Sequence, residues 1–541
     1  MKSNLASATS IVALLIFGAG EARAAETVSL TTPLAFGDIL VSQAASLTDT
    51  ATLSGGKSGD VLTWGTASGE FSGGGQTGTS KSGSVTVTQT FTFTPTVTGL
   101  ATSTATATVK RGSSTKASKT ATLTGTGVAP VEGLSPTNPN VGYVLVGNSA
   151  AATFTVKNVG NGNLAGSGDL YNLTGSFGAA GNSVFTGTGT SKFSLQDSNT
   201  KGATTSQSYT YNFAPTTAGS SGQTVIATTS VVAFNNGSTD GTNQANNQTA
   251  SMTGTAVAPI QAVTSNNVGY VRVGTTGTAA VTITNTGHGD LANGGSSANS
   301  AYNLTGAIGY ATSGSGLAAN GTPPASVNLG DAASSTVNYT YTPLSRGTAS
   351  STATISFVDG KSDGSNAAQT VTATVTAQGV GPTFTSVFNS ATDTPTAVAH
   401  GATVTTGPTI SMTVGRNSTA TYLLTLENTS SDPGAASLTD LTIENFAFGG
   451  ANAGSFSSTF TKGSIIHEGN SIAIPITVIG GNATGLLNST LTIFTDESTA
   501  LGGTGDTFTY QLSAAVPEPA TFAVLGVGLA GLAGLRRRRK V

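Results

Sequence analysis

Residues 84–94 read SVTVTQTFTFT. Val85, Val87, Phe91 and Phe93 alternate with polar neighbours, the two-residue period of a strand with one face in a core and the other in water. QSYTYNF (207–213) and VNYTYT (337–342) repeat the pattern, and a proline closely follows each of the three: Pro95, Pro215 and Pro343. No helical period of comparable length occurs between residues 30 and 510. The spacing predicts an all-β body.

Around these strands the chain repeats itself, which marks structural units. TLTGTGVAP (122–130), SMTGTAVAP (251–259) and TVTAQGVGP (374–382) each close a unit, while NVGYVLVG (140–147) and NVGYVRVG (267–274) open two of them. FTVKNVGNGNL (154–164) matches VTITNTGHGDL (281–291), and YNLTGSFG (171–178) matches YNLTGAIG (302–309). A shorter first unit keeps the closing phrase. A divergent fourth keeps YLLTLENTS (422–430) and ANAGSFS (451–457). The divisions expected are 25–130, 131–260, 261–382 and 383–515. Units of this size, with short alternating strands and Gly/Asn/Ser turns, predict tandem immunoglobulin-like β-sandwiches.

The 541 residues hold no cysteine, so the expected cores are disulfide-free and thiol chemistry is excluded. Charged residues make up 8%, far below the usual quarter, and leave Thr, Ser, Asn and Gly to wet the surface. Without the charged residues of the first 24 positions and the last six, 14 basic side chains face 23 acidic ones, a net of −9. Such a body offers nucleic acid nothing.

Both ends differ from this body. Lys2 precedes an apolar run, Ile11 to Ala19, and Ala22-Arg23-Ala24 places small residues at the cleavage positions of a secretory signal peptide, expected over 1–24. At the other end, residues 526–531 match the dinucleotide fingerprint G-x-G-x-x-G. Only ten residues come after it, five of them Arg536, Arg537, Arg538, Arg539 and Lys540, so no βαβ unit can form. Residues 520–535 are apolar apart from Thr521. As a helix they would reach roughly 24 Å, and the cations behind them would stay cytoplasmic. Before them stand Pro517-Glu518-Pro519, which keep the backbone extended.

Pro-Glu-Pro, a short apolar segment and a terminal Arg cluster together resemble the PEP-CTERM sorting signal, over 516–541. The resemblance implies a transmembrane sorting helix and processing at or near Pro517, Glu518 and Pro519 by exosortase, a membrane-embedded cysteine protease. It also implies transient residence in the inner membrane and delivery to the surface of a Gram-negative cell or its extracellular (biofilm) matrix. The body is similar to the ASH/Hydin-type Ig-like repeats of bacterial "choice-of-anchor D" proteins. The first unit departs by having Ser54-Gly55-Gly56 where the others have Asn158, Asn285 and Asn428, and the fourth lacks the closing glycines.

Chemistry-bearing residues are sparse. His288, His400 and His467 are scattered, and His288 stands where the preceding unit has Asn161, a turn residue. VDGKSDGSN (358–366) begins like a calcium loop but has Lys361 at the third position and Thr370 at the twelfth, which favours a hairpin turn. Trp64, Tyr143 and Tyr270 are candidates for stacking on sugars, with core packing as the expected role. No catalytic, metal or cofactor site is expected. The reading is a non-enzymatic surface or matrix protein whose repeats act as structural spacers. The alternative is an adhesin or polysaccharide binder using the loops 160–192 and 287–325, with ice binding a distant third.

Overall fold

In the computed structural model the described residues are 25–31, 33–389, 396–399, 406–430, 436–496 and 506–518, with Val527 and Ala530. The chain divides into two compact units, Met1–Thr216 with Val225–Ala256, and Thr217–Thr224 with Val257–Val541. Apart from Val527 and Ala530, which are helical, the described residues are all-β, with only short 3-10 turns between the strands.

The first sandwich contains β1 (Thr27–Leu30), β2 (Leu34–Leu40), β3 (Ala45–Gly56), β4 (Val61–Trp64), β5 (Phe71–Ser72), β6 (Thr77–Thr79), β7 (Gly83–Phe93), β8 (Gly99–Arg111) and β9 (Ser114–Val128). One sheet runs β1-β3-β7-β5 and the other β2-β9-β8-β4-β6, with β2 parallel to β9. This is the order of an immunoglobulin-like sandwich whose first strand is split between both sheets. The same order recurs three more times, over Glu132–Val257, Gln261–Val380 and Phe384–Val516. The fourth adds one edge strand, Thr396–Ala399.

The alternation that predicts the strands also builds the cores. On β7, Val87, Phe91 and Phe93 are buried, and Phe93 stacks on Phe71 with ring centroids 4.7 Å apart. Trp64 is wholly buried, edge-on to Phe91, and its indole N–H donates to the Val87 carbonyl at 3.1 Å. It is a core residue.

The closing phrase has a packing cause. A Cβ on Gly125 would come within 2.5 Å of the Phe93 ring, and one on Gly254 within 2.7 Å of the Phe213 ring. The last strand is small where the facing strand is large. In the fourth sandwich Val478 takes the place of the ring and Leu512 that of the glycine, both buried in one core. A loss of volume on one strand is offset by a gain on its neighbour.

The expected signal peptide (1–24, including Ala22 and Ala24) lies outside the described residues. So do Pro519, most of the expected transmembrane stretch 520–535, Arg536–Lys540 and His400. Among the described residues no helix is long and apolar enough to cross a membrane.

Candidate functional site

The sorting segment leaves directly from the last strand, Asp506–Val516. Thr413 pairs with Ala515 and Gly485 with Val516, so Val516 is the final residue of the ladder, and it is buried. Pro517 and Glu518 are exposed. Their position in the repeat is fixed by a recurring bond: the Val41 N–H donates to Val128 O at 2.9 Å, Val273 to Val380 O at 2.8 Å, and Val414 to Ala515 O at 3.0 Å. Counting two residues on, Pro517 is the counterpart of Pro130 and Pro382, and the matching closing phrase adds Pro259. Those three prolines are buried.

The next sandwich in the chain is what covers each of these prolines. Asn285 is buried at the end of its strand, its side-chain oxygen accepting from the Ile260 and Gly287 N–H groups at 3.1 and 3.0 Å. Its amide donates to Leu329 O at 3.0 Å. The turn after it wraps the linker so closely that a Cβ on Gly287 would lie 2.2 Å from Ala258 O, and the His288 N–H donates to that same oxygen at 3.0 Å. Asn158, Gly160 and Asn161 enclose Ala129-Pro130-Val131 in the same way. In the fourth sandwich a serine replaces the glycine, and the Ser430 hydroxyl accepts from the Thr383 N–H at 2.9 Å. Each linker is thus enclosed by the sandwich it enters, and the sandwich before it adds contacts of its own: the Ala258 N–H donates to Gly222 O at 3.1 Å and the Arg346 guanidinium donates to Pro382 O at 2.7 Å. Pro517 stands at the same step with no sandwich after it among the described residues, and its backbone is open.

The remaining candidates are dispersed. His288 precedes a 3-10 turn in the third sandwich, whereas His467 pairs with Asp440 in the fourth, Nδ1 to Oδ1 3.0 Å. In the calcium-like loop, Asp359 accepts from the Thr305 N–H and hydroxyl at 3.3 and 3.4 Å, as Asn236 does from Thr174 in the preceding sandwich. Burial raises the Asp359 carboxyl above its ordinary range. Asp363 caps the turn, accepting from the Ser365 N–H, and its carboxyl is lowered to about 2, chiefly by bonds from Ser365. Both carboxylates serve the hairpin. Among the described residues no three His, Asp or Glu side chains converge as metal ligands.

Tyr143 and Tyr270 do not pack in a core: they are 47% and 37% exposed. Tyr270 borders a cleft of about 490 Å³, lined also by Asn267, Ser313, Ser350, Thr376 and Gln378. One residue that the sequence reading passed over is Arg272. Its guanidinium donates to Leu438 O and Asp440 O at 2.9 and 3.1 Å and pairs with Asp496 at 2.9 Å, joining the third sandwich to the fourth. The signal was present in NVGYVRVG, where the sister phrase has Leu145, a buried residue.

Comparison with known proteins agrees with the tail. The family described as the PEP-CTERM protein-sorting motif matches residues 515–539, so the chain carries that motif. No curated protein matches the chain. Among solved structures, mouse cadherin-23 EC22-24 is 14% identical, covering 72% of this chain and 99% of its own, with a TM-score of 0.29. The titin I9-I11 tandem is 9% identical (72% and 100% covered, TM-score 0.21). The ASH/PapD-like domain 7 of human CEP192 is 16% identical (20% and 82%, TM-score 0.16). The immunoglobulin-like assignment rests on the sheet order.

Proposed function

We propose that this is an exported, non-enzymatic surface protein whose four sandwiches, divided at 25–130, 131–260, 261–382 and 383–515, are structural spacers behind a cleavable anchor. The supporting observation is the exposure of Pro517-Glu518 at a step where the other linker prolines are buried. A protease must bind extended backbone, and two prolines that cannot join a sheet keep it available. In this reading Ala520–Leu535 halts in the inner membrane and Arg536–Lys540 holds the end in the cytoplasm. Exosortase cuts near Pro517–Pro519, and the body passes to the surface or matrix of a Gram-negative cell. Residues 1–24 are removed on export, with Ala22 and Ala24 at the cleavage region. The test is the mass of the mature protein from hosts with and without exosortase. Loss of the residues beyond the motif is expected to require both the enzyme and Pro517–Pro519; a surface form still ending at Val541 would make the segment an anchor only.

A second reading, polysaccharide binding, is favoured by one observation, the uncharged cleft beside Tyr270. Hydroxyl and amide groups around an exposed ring suit a neutral glycan. It lies on a sheet face and takes only Ser313 from the long loops expected to bind. Glycan-array binding by the mature protein, reduced at least tenfold by Tyr270→Ala, would establish this reading; an array with no hits would end it.

A further inference from the structure

The second and third sandwiches differ by one charge at a buried site. In the second, Asn163 and Asp197 exchange backbone bonds: the Asn163 N–H donates to Asp197 Oδ2 and the Asp197 N–H to Asn163 Oδ1, both at 2.8 Å. The Asn163 amide then donates to Asn172 Oδ1 at 2.8 Å, and the Asn172 amide donates to the Ser194 hydroxyl at 2.9 Å. Donors and acceptors match along this chain of bonds.

The third sandwich keeps the frame but replaces Asn163 by Asp290. The Asp290 N–H donates to Asp331 Oδ1 at 3.2 Å and the Asp331 N–H to Asp290 Oδ2 at 3.0 Å. Asn303, the counterpart of Asn172, donates its amide hydrogens to Ser297 O at 2.9 Å and Asn328 Oδ1 at 2.7 Å. Its oxygen therefore faces the step where Asn163 supplied a hydrogen and Asp290 has none. Asp290 Oδ1 and Asn303 Oδ1 are both buried and both without a partner, on residues only 4% and 2% exposed. Turning the Asn303 amide over would set its oxygen against the Ser297 carbonyl, so reorientation does not resolve the conflict.

Two buried acceptors at the positions that share an N–H···O bond in the second sandwich require something positive or something that donates. Charge favours the former. The substitution adds a carboxylate beside Asp331, and among the described residues neither acid has an ion pair in the structure. A bridging water would satisfy the hydrogen bonds and leave the added charge uncompensated.

We propose that the third sandwich binds a hard divalent cation, Ca²⁺, between Asp290 Oδ1 and Asn303 Oδ1. The Ser297 hydroxyl lies on the same side of Gly330 as the Asp290 carboxylate: it and Asp290 Oδ2 are 3.3 and 2.9 Å from the Cβ position of that glycine. Water completes the oxygen shell. With few charged ligands the site belongs to the weak, extracellular class, with a Kd of ~0.1–1 mM.

The experiment is thermal unfolding of the full chain, stripped with chelator, against added CaCl₂ up to about 10 mM. The wild type is expected to gain about 5 °C in its responding transition and to lose it again on chelation. Asp290→Asn restores the amide that the second sandwich carries, so it is expected to fold, to melt no lower than cation-free wild type, and to ignore calcium. Two results would overturn the proposal. One is a calcium response that survives in Asp290→Asn, which places the ion elsewhere. The other is a wild type indifferent to calcium, which leaves water or a proton in the gap.

Discussion

Pro259 and Pro517 occupy the same step of their repeats and meet opposite fates. The first is clamped beneath Asn285, Gly287 and His288, and the second projects from a finished ladder. The residue type and the preceding strand are shared, so neither decides exposure. The sandwich next in the chain does. A proline that ends a strand becomes a joint when another sandwich receives it, and it stands exposed at Pro517, where none follows among the described residues.

The largest effects should come from the body that frames this comparison. Phe93→Ala is expected to cost ~3–5 kcal/mol in denaturant unfolding, as for other buried aromatics. Gly125→Leu, which drives a side chain into the Phe93 ring, should also destabilise, by about 3 kcal/mol. Phe93→Val combined with Gly125→Leu reproduces the pairing of the fourth sandwich and should recover part of both losses; strict additivity would show that the two positions do not trade volume. Next comes the clamp. Asn285→Ala strands the Ile260 and Gly287 N–H groups and the Leu329 carbonyl, and is expected to cost about 3 kcal/mol while making the Pro259 linker susceptible to limited proteolysis. If the linker stays resistant, the clamp is not what buries it.

A smaller effect separates the second sandwich from the third. Glu132 is buried and accepts from the side chains of Asn246 and Gln248, and burial raises its carboxyl above the ordinary value. The third sandwich has Gln261 there, donating to Gln369. The folded state then holds the Glu132 proton more tightly than the unfolded state. Its contribution is full below the unfolded pKa and is lost as pH rises through the higher folded value. Glu132→Gln should flatten that fall and raise stability at neutral pH, read from denaturant midpoints across the acid range. Smallest of all, Pro517→Ala should change stability by under ~0.5 kcal/mol, since Pro517 is exposed, yet impair processing.

Much of this was legible beforehand because it is periodic or local. Alternation gave Phe91 and Phe93 as core, the closing phrases marked three units, and YLLTLENTS with ANAGSFS marked a divergent fourth. Tyr143 and Tyr270 escaped that logic, since they stand beside Gly142 and Gly269, whose φ of 77° and 79° turns the edge strand away from regular alternation. Arg272 and Asp290 escaped for another reason. Each is a single exchange within a matched phrase, Leu145 to Arg and Asn163 to Asp, and its meaning depends on partners far along the chain, up to 224 residues away for Arg272. The sorting motif was read from its three-part order, but its exposure required knowing where the last ladder ends.

The split first strand has a mechanical meaning. In the first, third and fourth sandwiches the inner part of that strand runs parallel to the last one, as in Leu34–Leu40 against Leu123–Val128. Tension applied to the two ends of such a sandwich runs along these strands in opposite directions. Their ladder is then loaded in shear, and its bonds must break together rather than one at a time. A protein held at a cell surface is pulled by flow and by whatever adheres to it. At the surface location proposed above, each of these sandwiches would meet that load with the strand pair that also closes its fold.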